Sequence, residues 1–169
     1  PEYGAVNLHQ AELPRYRGSN VFSHSIMNAR ADDHRKHGTT LHVMAEQVDA
    51  GDIIDRRFVE IAEEDTARTL YKKVREASVE LFEAHLDGFA KKSVTDGAAP
   101  QAEFVGKRYF YNKDSLDELK NISREELTTM DRDELYDRVR ALDFPPFEPA
   151  YIELGDHRIY LTKTGYEQD

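Results

Sequence analysis

The 169-residue sequence contains no cysteine. That excludes a disulfide framework and thiol-based chemistry. No apolar run approaches the roughly 20 residues that span a bilayer, and no leader pattern of a basic stretch followed by an apolar one opens the sequence. The expectation is a cytoplasmic protein with no membrane contact. Positive charge is scarce: 23 Lys and Arg stand against 33 Asp and Glu, a net charge of -10. An extended nucleic-acid contact needs phosphate neutralisation by many cations, so that class is set aside, while a local basic pocket is not. Internal repeats and low-complexity segments are absent as well. What is present is a charged surface, 33% Asp, Glu, Lys and Arg, and nine Tyr with eight Phe to build a core. The length suits one domain or one and a half.

The first fifty residues carry the chemistry. Gly4–His9 reads as a short strand running into a polar loop, and residues two apart on a strand share a face, so Asn7 and His9 project together. A second strand, Thr39–Met44, leads into a turn at Asp49-Ala50-Gly51. If the two strands are neighbours, an amide, an imidazole and a carboxylate meet at one end of a sheet, where open α/β sheets bind ligands.

Elsewhere strands and helices interleave in an α/β pattern. Residues 10 to 20 read as a loop around Pro14 and Gly18. Ser19 or Asn20 can cap a helix carrying Val21, Phe22, Ile26 and Met27. The polar stretch 31–37 reads as a solvated connection. Asp33, His34 and His37 within it lack a fourth candidate ligand for a metal site. A strand over 53–61 precedes a long helix from Thr66 to Lys91, with Leu70, Val74, Ala77, Leu81, Leu86 and Phe89 as its apolar stripe. Residues 95–100 look like a linker, dividing the chain into 1–95 and 101–169. The tail reads as a strand at 108–111, a helical turn near Leu116 and a capping box at Ser123–Glu126. A helix over 131–142, an extended Pro-rich piece at 144–149 and a hairpin around Gly155-Asp156 follow.

Asn7-Leu8-His9, Leu13-Pro14-Arg15-Tyr16-Arg17-Gly18, Gly38-Thr39-Thr40-Leu41-His42-Val43 and Asp49-Ala50-Gly51-Asp52-Ile53-Ile54, in that order, resemble the folate-dependent formyltransferases. Those enzymes have an Asn-x-His at a strand end, a Leu-Pro-x-Tyr-Arg-Gly loop, and a Gly-Val-Thr-x-His strand entering an Asp-x-Gly-x-Ile turn. Thr39 here replaces the usual Val. The match is good over roughly the first ninety residues and loose beyond. It implies an α/β fold: the C-terminal part of a Rossmann-like formyltransferase domain with a small α+β tail, the preceding Rossmann half lying outside this chain. A fragment of that kind would present an unpaired strand edge and could self-associate.

The resemblance also implies N10-formyltetrahydrofolate as formyl donor and an amine as acceptor. It implies Asn7, His9 and Asp49 as catalytic residues. An amide N–H suits a developing oxyanion, an imidazole that titrates near neutrality can exchange protons or, when charged, help hold the oxyanion, and Asp49 can orient His9, raise its pKa and relay protons through a water. Alone, Asn-x-His more often caps a loop; the other three segments reverse that balance. Arg17, Gly18, His42 and Gly51 are placed on the folate side, though His42 reads equally as a hydrogen-bonded sheet histidine. Lys107, Arg108, Tyr109 and Tyr111, with Lys113 beside them, are candidate acceptor-binding residues, cations for phosphates and a ring for a base. An amphipathic strand with a wet basic edge is the alternative. A short tail and an acidic chain point to a nucleotide-linked amino sugar as acceptor rather than initiator tRNA. A formyltetrahydrofolate hydrolase, a methionyl-tRNA formyltransferase-like enzyme and a non-catalytic assembly module stay open.

Overall fold

A computed structural model describes residues 4–164. Its central sheet has three antiparallel strands in the order β1-β3-β4: β1 (Val6–His9), β3 (Lys36–Val43) and β4 (Ile53–Glu60). The expected neighbours do pair, with Asn7 opposite His42 and His9 opposite Thr40. A bulge between Leu41 and His42 shifts the β3–β4 register, and such an irregularity re-aims the side chain beside it. Among the described residues β1 pairs only with β3, so its other edge is open.

Two helices cover the sheet. α1 (Val21–Ala31) follows Asn20, and α2 (Ala67–Ala84) follows Thr66. Thr66 and Thr69 bond reciprocally in a capping box, satisfying two N–H groups that a helix start otherwise leaves bare. Leu70, Val74, Ala77 and Leu81 are buried as the 3.6-residue period requires. Leu70 and Val74 meet Ile26, Ala29 and Ile61 in the main core. The expected continuation to Lys91 is broken. His85 leaves helical geometry, its imidazole Nδ1 2.9 Å from the Leu81 carbonyl, and the five-residue α3 (Leu86–Ala90) buries nothing. A side chain bonding the carbonyl four residues back competes with the helix ladder.

Three other expectations change. Tyr16–Gly18, read as loop, is a three-residue strand, β2, parallel to β5 (Tyr109–Tyr111). Residues 31–37 are not a solvated connection: α1 ends within them, β3 begins at Lys36 and His37 is fully buried. The 144–149 segment turns at a cis Pro145-Pro146 bond instead of extending.

The tail then carries two one-turn helices, α4 (Asp117–Lys120) and α5 (Glu126–Thr129), with the Ser123–Glu126 capping box intact. α6 (Arg132–Leu142) is capped by Asp131. The hairpin of β6 (Ala150–Leu154) and β7 (His157–Leu161) closes over a smaller core of Ile122, Leu142 and Ala150. Arg30 of α1 bonds Asp137 of α6, which also holds Arg140. A buried charge is tolerated where a partner and hydrogen bonds replace its water, as here. Among the described residues no helix is long and apolar enough to cross a membrane.

Candidate active site

β2 has two working edges. One pairs with β5. The other is gripped by side chains: His9 Nε2 lies 3.0 Å from the Tyr16 carbonyl, and the Gly18 N–H donates to Asp49 Oδ2 at 2.9 Å. Gly18 has φ 86, and a Cβ on it would sit 2.3 Å from the Tyr111 carbonyl oxygen, so both conformation and strand spacing demand glycine.

The hydrogen bonds fix the tautomers. His9 Nε2 must carry hydrogen to donate to a carbonyl, which leaves Nδ1 bare in the neutral ring. That Nδ1 faces Asp49 Oδ1 at 3.6 Å. His42 donates from Nδ1 to the Val43 carbonyl at 2.9 Å, so its Nε2 accepts from the Asn7 amide at 3.2 Å. His42 Nε2 also lies 3.8 Å from Asp49 Oδ1. Asn7 retains a second amide N–H with no partner among the described residues. Asn7, His9, His42 and Asp49 are thus brought together, as the strand pairing requires. His42 is buried and bonded at both nitrogens, the sheet-histidine alternative, while also supporting Asn7.

Asp49 was expected to raise the pKa of His9. It does pull in that direction, but burial is the larger effect and the net shift is downward; the Tyr16 carbonyl raises it and His42 lowers it further. His9 therefore stands neutral near pH 7 with its lone pair toward a carboxylate.

The Asp49 turn is held from below. Asp49 has φ 52, a left-handed conformation that Asp tolerates better than most residues. A Cβ on Gly51 would fall 1.7 Å from the Val43 carbonyl oxygen. Gln101, which no motif singled out, is buried and its amide donates to the carbonyls of both Asp49 and Gly51 at 2.8 Å. Its signal was absent because it lies 52 residues from Asp49 in sequence. Arg17 clamps the same loop, its Nε and one terminal nitrogen donating to the Val48 carbonyl at 3.0 and 2.6 Å.

The basic-aromatic run is not assembled with this cluster as expected. Lys107 ion-pairs with Asp32, and the Tyr109 hydroxyl donates to the same carboxylate. Arg108 donates to the carbonyls of Gln101 and Phe104. The Tyr111 hydroxyl accepts from Asn28, and its ring stacks on His24 with centroids 3.5 Å apart. Strand alternation sends Tyr109 and Tyr111 against α1, so they serve packing. Phe110, between them, is the exposed ring, with the Arg17 guanidinium 5.8 Å from its centroid. Asp33, His34 and His37 hold no common centre; His34 pairs with Glu12 and His37 with the Gln10 carbonyl. No metal-competent cluster of His, Asp and Glu exists among the described residues.

A family model described as formyl transferase matches residues 1–86, just over half the chain. A methionyl-tRNA formyltransferase from Listeria monocytogenes is 28% identical over 171 aligned positions, which cover 99% of this chain and 49% of that protein. This chain therefore spans about half the length of that relative. Among solved structures, a 4-N formyltransferase from Francisella tularensis matches with TM-score 0.79 and 26% identity, covering 94% of this chain and 61% of that one. A sugar N-formyltransferase from a Shewanella species matches with TM-score 0.76 and 25% identity, covering 93% and 59%.

Proposed function

The chain belongs to the formyl transferase family, and from that membership we propose that it moves a formyl group from N10-formyltetrahydrofolate to the primary amine of a nucleotide-linked amino sugar. One observation supports this above the rest: His9 and Asp49 hold β2 side by side, and Asn7 joins them through His42, with one amide N–H and one imidazole lone pair unspent. The folate supplies an activated formyl group. The free Asn7 N–H suits the oxyanion formed when the amine nitrogen bonds the formyl carbon. His9 Nδ1 takes the proton that the attacking nitrogen must lose. Asp49, 3.6 Å away, is close enough to stabilise the imidazolium, and the long contact can tighten on protonation. His9 then returns the proton to the departing folate nitrogen as the carbon–nitrogen bond breaks. The products are a formamide and tetrahydrofolate, with His9 neutral again.

In this reading residues 1–95 carry the catalytic groups and 101–169 form a small subdomain. The likeness to two sugar-type or 4-N formyltransferases and the net charge of -10 favour a sugar acceptor. The likeness to methionyl-tRNA formyltransferases keeps aminoacyl-tRNA as the second reading. The test incubates the protein with N10-formyltetrahydrofolate and, separately, a UDP- or dTDP-linked amino sugar, methionyl-tRNA, or no amine. Formylated sugar is the expected product. Formylated tRNA alone would replace the acceptor, and formate release without amine would make the protein a hydrolase.

A further inference from the structure

Where β2 ends, the chain turns at Ser19 and Asn20 into α1, and a cavity of about 500 Å³ opens between that turn and the tail. Its apolar wall includes Phe22, Leu116, Phe144 and Phe147, the last 66% exposed. Its polar side is the first turn of α1. Asn20 does not cap this helix; its amide instead donates to the carbonyls of Asn112 and Lys113 and to the Ser115 hydroxyl. The first-turn N–H groups of α1 are therefore left for another acceptor, and no acidic side chain occupies that turn. Ser23, only 5% exposed, lines the same cavity, and its hydroxyl has no partner among the described residues.

The charges at the rim sort themselves. Asp117 pairs with Lys120, and Glu148 pairs with Arg158. Lys113 lines the cavity, is exposed, and has no ion partner among the described residues. Arg158 is shared between Glu148 and Glu153, so Glu148 keeps part of its negative charge at the far rim. On the α1 side, Lys113 and the helix N-terminus offer a locally positive potential. A cavity with aromatic walls, one free cation, unspent N–H groups and a buried hydroxyl fits an anion attached to a flat ring.

We propose that this cavity holds the nucleoside diphosphate portion of the acceptor, an inference that rests on the amino-sugar reading. Gly18 donates to Asp49, and Ser19 already lines the cavity. At no more than about 3.6 Å per residue, Phe22 lies within about 14 Å of Gly18. An acceptor could place its amine at His9 while its phosphates meet Lys113, Ser23 and the α1 N-terminus and its base lies on Phe147 or Phe144.

Calorimetric titration with UDP and with dTDP tests this, with 5-formyltetrahydrofolate as a separate probe of the donor site. One of the two nucleotides should bind. Lys113→Ala and Phe147→Ala, both at exposed side chains, should each weaken it about tenfold, and Ser23→Ala about threefold. Folate binding should stay within twofold in all three. Unchanged nucleotide affinity in Lys113→Ala and Phe147→Ala, or no nucleotide binding while folate binds, overturns the assignment and leaves the formyl-transfer reading standing. Absence of folate binding would instead strike that reading. A nucleotide that inhibits formyl transfer without competing with the amino sugar would make the cavity an effector site and overturn the acceptor assignment.

Discussion

Gln101 offers a sharp test of how the Asp49 turn is held. Its amide nitrogen spans two carbonyls, those of Asp49 and Gly51, at 2.8 Å each, and Gly51 is buried. In Gln101→Ala both carbonyls lose a donor. Leaving a buried polar group unpaired costs about 1–3 kcal/mol. For a domain of this size that is a drop of roughly 2–10 °C in Tm. The turn also carries a carboxylate whose alignment with His9 is set over 3.6 Å, and a displacement of about 1 Å costs on the order of a hundredfold in rate. Formyl-transfer turnover should therefore fall far more than the affinity for folate. Gln101 reaches no reacting atom and acts through Asp49, so the two effects should separate in a double-mutant cycle. In an Asp49→Asn background, Gln101→Ala should still lower Tm but scarcely change the residual turnover. Asn is the right background because it tolerates the left-handed φ of position 49. A wild-type Tm in Gln101→Ala would refute the brace. Fully additive losses of turnover would refute its action through Asp49.

Loss of the oxyanion donor in Asn7→Ala should lower turnover about a hundredfold, with a drop in Tm because the buried His42 Nε2 loses its donor; equal turnover would remove Asn7 from the mechanism. Since burial holds the His9 pKa down and Asp49 pulls it up, the acidic limb of the pH–rate profile should move to lower pH in Asp49→Asn; movement to higher pH contradicts the electrostatics. Burial lowers the His24 pKa to about 4, so the unfolded chain binds more protons between that value and about 6.5. Stability should fall as pH drops through this window, and the gap between urea midpoints at pH 7 and 5 should narrow in His24→Gln, with His37, whose pKa burial lowers to about 3, sustaining the rest; an undiminished gap would exclude His24 as a source. The open edge of β1 favours association, so light scattering across a dilution series should show a falling mean mass, whereas a constant single-chain mass would discount that edge.

The sequence disclosed what short-range chemistry dictates. Thr66 announces a helix start, Gly155-Asp156 a hairpin, and Asn7 and His9 share a face that the Asp49 turn meets once β1 and β3 pair. It concealed what distant chain brings. β2 is too short to show alternation and exists because β5, some ninety residues later, lies beside it. His37 sits among charged neighbours that suggest solvent, yet Tyr16 and Phe22 enclose it. Tyr109 and Tyr111 carry the composition of a binding strand, but α1 claims that face and leaves Phe110 outward. The sign of the His9 shift required the full surroundings as well, since burial and the Asp49 charge oppose each other.

Exchange of parts between relatives meets an obstacle at β2. The residues near Gly97 look like a natural junction for grafting one protein's tail onto another's catalytic half. A graft joined there would bring a foreign partner to the strand whose opposite edge His9 and Asp49 hold. The Gly18 site would meet a new carbonyl where Tyr111 now allows 2.3 Å to a missing Cβ, and the donor equivalent to Gln101 would arrive from the other parent. A new acceptor preference obtained that way would come mixed with a catalytic defect. Joining the parents after Tyr111 keeps β2, β5 and Gln101 as one inherited unit, and leaves the contacts of α6 with α1, such as Arg30 with Asp137, as the ones the two parents must match.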